Sequence, residues 1–314
     1  MRIAFLGSSP FGVPTLTRLA AGHEVVGIVT QPDRPAGRGG RLSPTPAGAW
    51  AVEHLPDVPV LKPEKINQPE IVQQIRAWNA EAWVVIAYGQ KLGKALLEGV
   101  FAINLHASLL PRWRGAAPIQ AAMLAGDETT GNCVITLADR MDAGLVLGRT
   151  TRRIEPSQTA GELHDLLASD GPDLIEQVLA AHRAGTLSPE VQDESKVTYA
   201  SKLSPADGWV DFDADARTCR QRINGLSPFP GVRVQFRGET LKLLRAVEVA
   251  EARNPPGRSG LLLDGMAGEV ACGGGTLMRI LEVQAAGKRA MPWNEFANGK
   301  KPRTGEAFER TSGS

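Results

Sequence analysis

Arg2-Ile3-Ala4-Phe5-Leu6-Gly7-Ser8-Ser9-Pro10-Phe11-Gly12 opens the chain. The apolar run stops at small, polar and proline residues, as a short buried strand does. Residues 13–21 then carry helical spacing and close at Gly22, and residues 24–30 form a second β-rich run. Strand, glycine turn, helix and strand make a βαβ opening, and that unit predicts a doubly wound α/β fold with a mostly parallel sheet. The turn holds Gly7 and Gly12 but lacks G-x-G-x-x-G and a Walker lysine. Neither a dinucleotide site nor a P-loop is therefore expected.

Outward from this unit, residues 82–87 are a near-continuous apolar strand, as a sheet covered on both faces requires. Helices are expected over 47–54 and 69–79, with a short strand at 58–61 between them. Residues 101–105 read as another buried strand, leading into Asn104-Leu105-His106-Ala107-Ser108-Leu109-Leu110-Pro111 and Arg112-Trp113-Arg114-Gly115. Alternate side chains of a strand share a face, so Asn104 and His106 project together while Leu105 turns into the sheet. Ligands bind at this carboxyl end of an open parallel sheet. Taken alone, the pair would only cap loop backbone groups.

Residues 116–124 predict a helix with Pro118 in its first turn. Two strand-like runs follow at 132–137 and 145–150, with Asp139, Arg140, Met141 and Asp142 between them. A long helix is expected over 159–185, broken or kinked at Gly171-Pro172, with His164 and His182 on its surface. Polar residues 188–207 suit a linker. Beyond Gly208 comes one helix near 214–224, then short β-rich runs at 231–236, 240–248, 260–263, 269–271 and 276–283, separated by glycine turns. That pattern predicts a small β-barrel.

Composition fits a soluble globular protein: 314 residues, 42% hydrophobic, suffice for two domains. No stretch has the apolar length of a signal peptide or a membrane span, so a cytoplasmic location is expected. Cys133, Cys219 and Cys272 are widely spaced without metal-ligand patterning and predict neither disulfides nor a zinc site. The net charge of +1 is unevenly spread, since residues from 208 onward hold 16 Lys+Arg against 12 Asp+Glu. Such a mild surplus is compatible with a nucleic-acid partner but far from a dedicated binder. Prolines and glycines crowd residues 31–46, forbidding a regular element there, while Arg34, Arg38 and Arg41 concentrate positive charge. Composition alone would make this a solvated surface loop.

The Asn-x-His strand end, the Ser-Leu-Leu-Pro-Arg-Trp-Arg-Gly run after it and the distant Met141-Asp142-Ala143-Gly144 together resemble the formyltransferases that use 10-formyltetrahydrofolate. Within that group, the run from Ser108 to Pro118 is similar to the branch acting on methionyl-tRNA. The resemblance implies a Rossmann-like catalytic domain over 1–187, a linker over 188–207 and an OB-like β-barrel over 208–314. Gln192-Asp193-Glu194-Ser195-Lys196-Val197-Thr198-Tyr199-Ala200 resembles the family's connecting segment. The resemblance implies Asn104, His106 and Asp142 as catalytic residues. It also implies a folate pocket walled by the backbone of Ala87, Tyr88, Gly89, Gln90 and Leu92 and by Ser108, Leu109, Leu110 and Pro111. Arg34, Arg38 and Arg41 resemble a loop set against the acceptor end of initiator tRNA, where a flexible arginine segment can follow phosphates. Lys288 and Arg289 resemble a basic turn near the end of the second domain. The partners implied are initiator methionyl-tRNA and the folate co-substrate, with no metal and no membrane, and a monomer is expected.

Formyl transfer places an amine on a formamide-like carbonyl through a tetrahedral oxyanion. The oxygen needs donors, and the nitrogen must lose a proton. Asn104 and His106 supply donors, while Asp142 can orient His106 and take the proton directly or through water. An α-amine, with a reference pKa of about 8, needs little activation. Ser108 as a nucleophile is disfavoured because no G-x-S-x-G elbow surrounds it. Spacing alone does not choose between Asp139 and Asp142, whereas the resemblance selects Asp142. A small amine such as an amino sugar nucleotide would use the same three residues but needs neither the arginine loop nor the second domain. A catalytically silent RNA-binding protein would not need the three.

Overall fold

A computed structural model describes residues 1–36, 40–249 and 258–310. The chain divides into two compact units, each discontinuous in sequence. The first comprises Met1–Arg114, Gly131–Arg152 and Asp165–Thr198; the second comprises Gly115–Thr130, Arg153–His164 and Tyr199–Ser314. The polar stretch at 188–207 is thus shared between them.

The first unit is built on a seven-stranded sheet. Its order runs Val146–Arg149, Cys133–Thr136, Phe101–His106, Ala82–Ile86, Arg2–Gly7, Glu24–Val29, Val60–Leu61. The five strands from Phe101–His106 to Val60–Leu61 are mutually parallel. Cys133–Thr136 and Val146–Arg149 continue the sheet antiparallel. All five residues of Ala82–Ile86 are buried, which explains its unbroken apolar sequence. Successive connections leave Arg2–Gly7 toward opposite edges, so the switch point lies between it and Ala82–Ile86. There the carboxyl ends of the strands open a crevice. The Ser8 hydroxyl bridges this point, donating to the Tyr88 carbonyl at 3.2 Å.

Residues 31–46 are not wholly irregular. Arg34–Ala36 and Arg41–Ser43 pair antiparallel as a two-stranded ribbon, Pro35 facing Leu42. An isolated ribbon tolerates a proline that a central strand would not. Lys62 pairs with Asp33 at 2.7 Å and Arg34 with Glu64 at 2.8 Å, which ties down the base of the ribbon.

The helix Ala160–Ala184 runs continuously through Pro172, which rules out the break, one of the two expectations there. Leu163, Leu167, Leu174, Ile175, Val178 and Leu179 are all buried, and packing of that apolar stripe outweighs the roughly 3 kcal/mol that an internal proline costs. His164 and His182 are half-buried, not on the surface. The ring of His182 stacks on Phe101 with centroids 3.5 Å apart.

In the second unit an antiparallel sheet runs Leu262–Asp264, Glu269–Cys272, Thr276–Ala285, Glu239–Val249, Val232–Phe236, Glu309–Arg310. A bridge between Leu261 and Ala307 joins its two ends and closes the barrel. Alternating Val232, Val234 and Phe236 point inward with Leu241, Leu243, Met278 and Ile280. Helices Ala216–Gly225 and Trp293–Lys300 add Cys219, Ile223, Trp293 and Phe296 to that core. Among the described residues no helix is long and apolar enough to cross a membrane.

Candidate active site

Asn104 and His106 do share a face at the end of Phe101–His106, with Ile135 and Cys133 opposite them in register. Cys133, Ile135, Leu110 and Val146 form a small buried cluster behind the pair. The Asn104 side chain is half-buried and makes no hydrogen bond among the described residues. Its amide therefore remains available to a ligand.

His106 is fixed from two sides. Its Nε2 lies 2.9 Å from the carbonyl oxygen of Trp113, and since a carbonyl only accepts, Nε2 must carry the hydrogen. Its Nδ1 faces Asp142 Oδ2 at 3.6 Å. The two side chains are only 6% and 15% exposed, so their interaction is screened far less than a surface pair. The Trp113 peptide is itself held, its N–H donating to Thr198 Oγ1 at 2.9 Å. Geometry separates the rival carboxylates: Asp139 is exposed and 3.6 Å from Lys94, whereas Asp142 is the one beside the imidazole.

Asp142 sits in a turn whose carbonyls are caught by a buried side chain. Gln192 Nε2 donates to Asp142 O and to Gly144 O, each at 2.8 Å. Its Oε1 accepts from Arg114 Nε at 3.0 Å and from Arg114 NH2 at 2.8 Å. Arg114, only 1% exposed, also pairs with Glu194, which in turn meets Arg140. The Arg114 guanidinium, and then that of Arg140, hold the Glu194 carboxyl below the usual range. A buried guanidinium requires such partners, because unpaired it would lose its hydration uncompensated.

The remaining expected site residues divide. Ser108 is buried with its hydroxyl given to Arg112 O at 2.7 Å, which shapes the loop and leaves no base to activate it. Leu110 is buried in the cluster behind the pair. Leu109 and Pro111 instead line a cavity of about 410 Å³ with Arg112, Lys196, Val197 and Thr198. Ala87 and Gly89 are exposed and adopt positive φ, 46° and 93°. Tyr88 and Leu92 between and beyond them are buried, and Gln90 clamps Ile66 N and Pro63 O. Burial pushes the Tyr88 phenol far above its ordinary range, and its hydroxyl has no partner among the described residues. Arg34 and Arg41 lie exposed on the ribbon, while Arg38 lies outside the described residues. Lys288 and Arg289 are exposed in the turn after Thr276–Ala285.

Sequence reasoning missed Trp113, Thr198, Gln192 and Arg114 as supports. Each acts through a backbone group or a partner distant in sequence, so the only signals were the two motifs that contain them, the run from Ser108 to Gly115 and the segment from Gln192 to Ala200.

A doubly wound sheet with Asn, His and Asp gathered at its carboxyl edge, followed by a closed β-barrel, agrees with two family models. Formyl transferase matches residues 1–179, and formyl transferase, C-terminal domain, matches residues 202–301. The chain belongs to the formyl transferase family, and within it to the methionyl-tRNA formyltransferases. It is 41% identical over 302 residues to the methionyl-tRNA formyltransferase of Methylococcus capsulatus, covering 95% of this chain and 96% of that one. It is 42% identical over 301 residues to that of Cereibacter sphaeroides, covering 95% and 96%. Solved structures share the fold. WlaRD, a sugar 3N-formyl transferase, superposes with TM-score 0.67 at 12% identity over 92% of this chain and 99% of its own. HypX from Aquifex aeolicus superposes with TM-score 0.62 at 16% identity; 95% of this chain matches 47% of that longer one.

Proposed function

We propose that the chain transfers the formyl group of 10-formyltetrahydrofolate to the α-amino group of methionyl-initiator tRNA, for translation initiation, acting as a cytoplasmic monomer. Asn104, His106 and Asp142 are its catalytic residues. The observation that carries this reading is the His106 Nδ1 to Asp142 Oδ2 approach of 3.6 Å beside the uncommitted Asn104 amide.

The residues present fit the co-substrate. Exposed backbone at Ala87 and Gly89, in left-handed conformation, offers donors and acceptors to a flat heterocycle's edge. Bound there, the folate supplies an electrophilic formamide-type carbonyl. Asn104 Nδ2–H donates to the oxygen as it becomes anionic; one such donor contributes roughly 10²–10³ in turnover. His106 can add a second hydrogen bond only from Nδ1, since Nε2 is committed to Trp113 O. That contribution requires a hydrogen on Nδ1, the nitrogen that Asp142 Oδ2 faces at 3.6 Å. Asp142 also takes the proton of the attacking amine, directly or through water. The exposed arginines of the ribbon and of the Lys288-Arg289 turn suit the phosphates of the tRNA.

Transfer of labelled formyl from 10-formyltetrahydrofolate to methionyl-initiator tRNA tests the reading, with His106→Ala and an amino sugar nucleotide run in parallel. Labelled formylmethionyl-tRNA is expected only with the intact protein. Transfer to the sugar and none to the tRNA would retain the chemistry and remove the tRNA assignment.

A further inference from the structure

We infer that Gln192 and Arg114 are positioning residues for the transfer reaction, holding the Asp142 carboxylate at its working distance from His106. The inference rests on the catalytic assignment above and adds two residues that touch no reacting atom.

The hydrogen-bonding capacity of Gln192 is fully directed. Both N–H bonds of its amide go to the turn, at Asp142 O and Gly144 O, and its oxygen accepts twice from Arg114. A neutral amide is the side chain that can do both, since a carboxylate has no hydrogens for the carbonyls and an amine has no oxygen for the guanidinium. The turn needs such a hold because Asp142 is left-handed, at φ 51°, a conformation that costs a non-glycine residue energy. Arg114 carries the constraint across the site. It follows Trp113, whose carbonyl orients His106, and its own N–H donates to Thr198 O at 2.9 Å. One buried assembly thus fixes the imidazole through Trp113 and the carboxylate through Gln192. Arg140, on the same turn as Asp142, is tied to that assembly through Glu194.

Displacement of a catalytic group by about 1 Å costs roughly 10²-fold in rate. Gln192→Leu removes all four bonds. Gln192→Glu keeps an oxygen for Arg114, so the buried guanidinium stays paired and the unit folded, while the two carbonyls of the turn lose their donors. Both variants are expected to lower kcat by roughly 10²-fold and to leave KM for folate and for tRNA within about threefold, as for an interaction felt only in the transition state. In an Asp142→Asn background the Gln192→Glu change should cost less than about threefold, because the group it positions is already gone. Gln192→Glu with wild-type kcat, or an equal loss in both backgrounds, would overturn the inference and leave Gln192 as a folding residue. If the intact protein formylates an amino sugar and not the tRNA, the same cycle is read on the sugar. If it formylates neither, the catalytic reading and the inference fall together.

Discussion

The Nε2 of His106 donates to the main-chain carbonyl of Trp113 at 2.9 Å, so the ring nitrogen left to face Asp142 is Nδ1. A main-chain acceptor has no competing role as a donor, so this bond alone settles which nitrogen carries the hydrogen.

That relationship distinguishes two replacements of similar size. The amide nitrogen of Asn occupies the place of Nδ1, whereas that of Gln reaches the place of Nε2. His106→Asn and His106→Gln should each lose at least about 10²-fold in kcat, with Asn retaining roughly tenfold more activity than Gln. A Gln variant equal to or better than Asn in labelled-formyl turnover would place the working atom at Nε2.

Asp142→Asn should reduce kcat by about 10²–10⁴-fold. Asp139→Asn should stay within about twofold of the intact protein, since its carboxylate meets only the exposed Lys94 at 3.6 Å. Steady-state turnover of the two variants side by side decides the matter, and equal losses would contradict the assignment.

Asn104→Ala should lower kcat by roughly 10²–10³-fold without lowering the melting temperature. The amide has no hydrogen bond to lose among the described residues. A drop in melting temperature comparable to that of a core substitution would instead make Asn104 a structural group.

Arg38→Ala and Arg41→Ala should each weaken the tRNA interaction and reduce its dependence on log salt concentration by about one unit for each phosphate no longer engaged. Folate KM should not move. Filter binding across a salt series provides the measurement, and an unchanged slope for both would detach the ribbon from the nucleic acid.

All three cysteines are buried. Burial pushes the Cys133 thiol up. The hydrogen bond with Cys272, and after it burial, does the same for Cys219. Burial shields all three from reagents, and the raised thiols of Cys133 and Cys219 yield little thiolate, so the folded protein should resist iodoacetamide at mildly alkaline pH and the urea-unfolded chain should label at every cysteine. Mass spectrometry of the two states would expose any reactive thiol as an adduct on the folded chain.

Strand alternation made the Asn104 and His106 pair legible, because period two puts both on one face whatever surrounds them. Asp142 was not legible from spacing, since Asp139 stands three residues away in the same connection and only the tertiary turn separates them. The ribbon at Arg34–Ala36 and Arg41–Ser43 was hidden by its prolines and glycines. Those residues forbid a central strand but not a pairing of two three-residue runs. Pro172 misled for the opposite reason: a local cost is visible in sequence, but the burial that overrides it is not. Gln192 left almost no mark, because its bonds reach back 50 and 48 residues to backbone atoms that any amino acid would present.

Six non-glycine residues adopt left-handed backbone among the described residues, and Ala87, Trp113 and Asp142 are half of them. Each would gain from glycine, by about 1–2 kcal/mol for the conformation itself, so selection for thermal endurance alone would tend to replace them. At Trp113 glycine would loosen the peptide whose carbonyl holds His106, and at Asp142 it would remove the carboxylate that faces the imidazole. Engineering for shelf life and engineering for turnover therefore pull in opposite directions at these two positions.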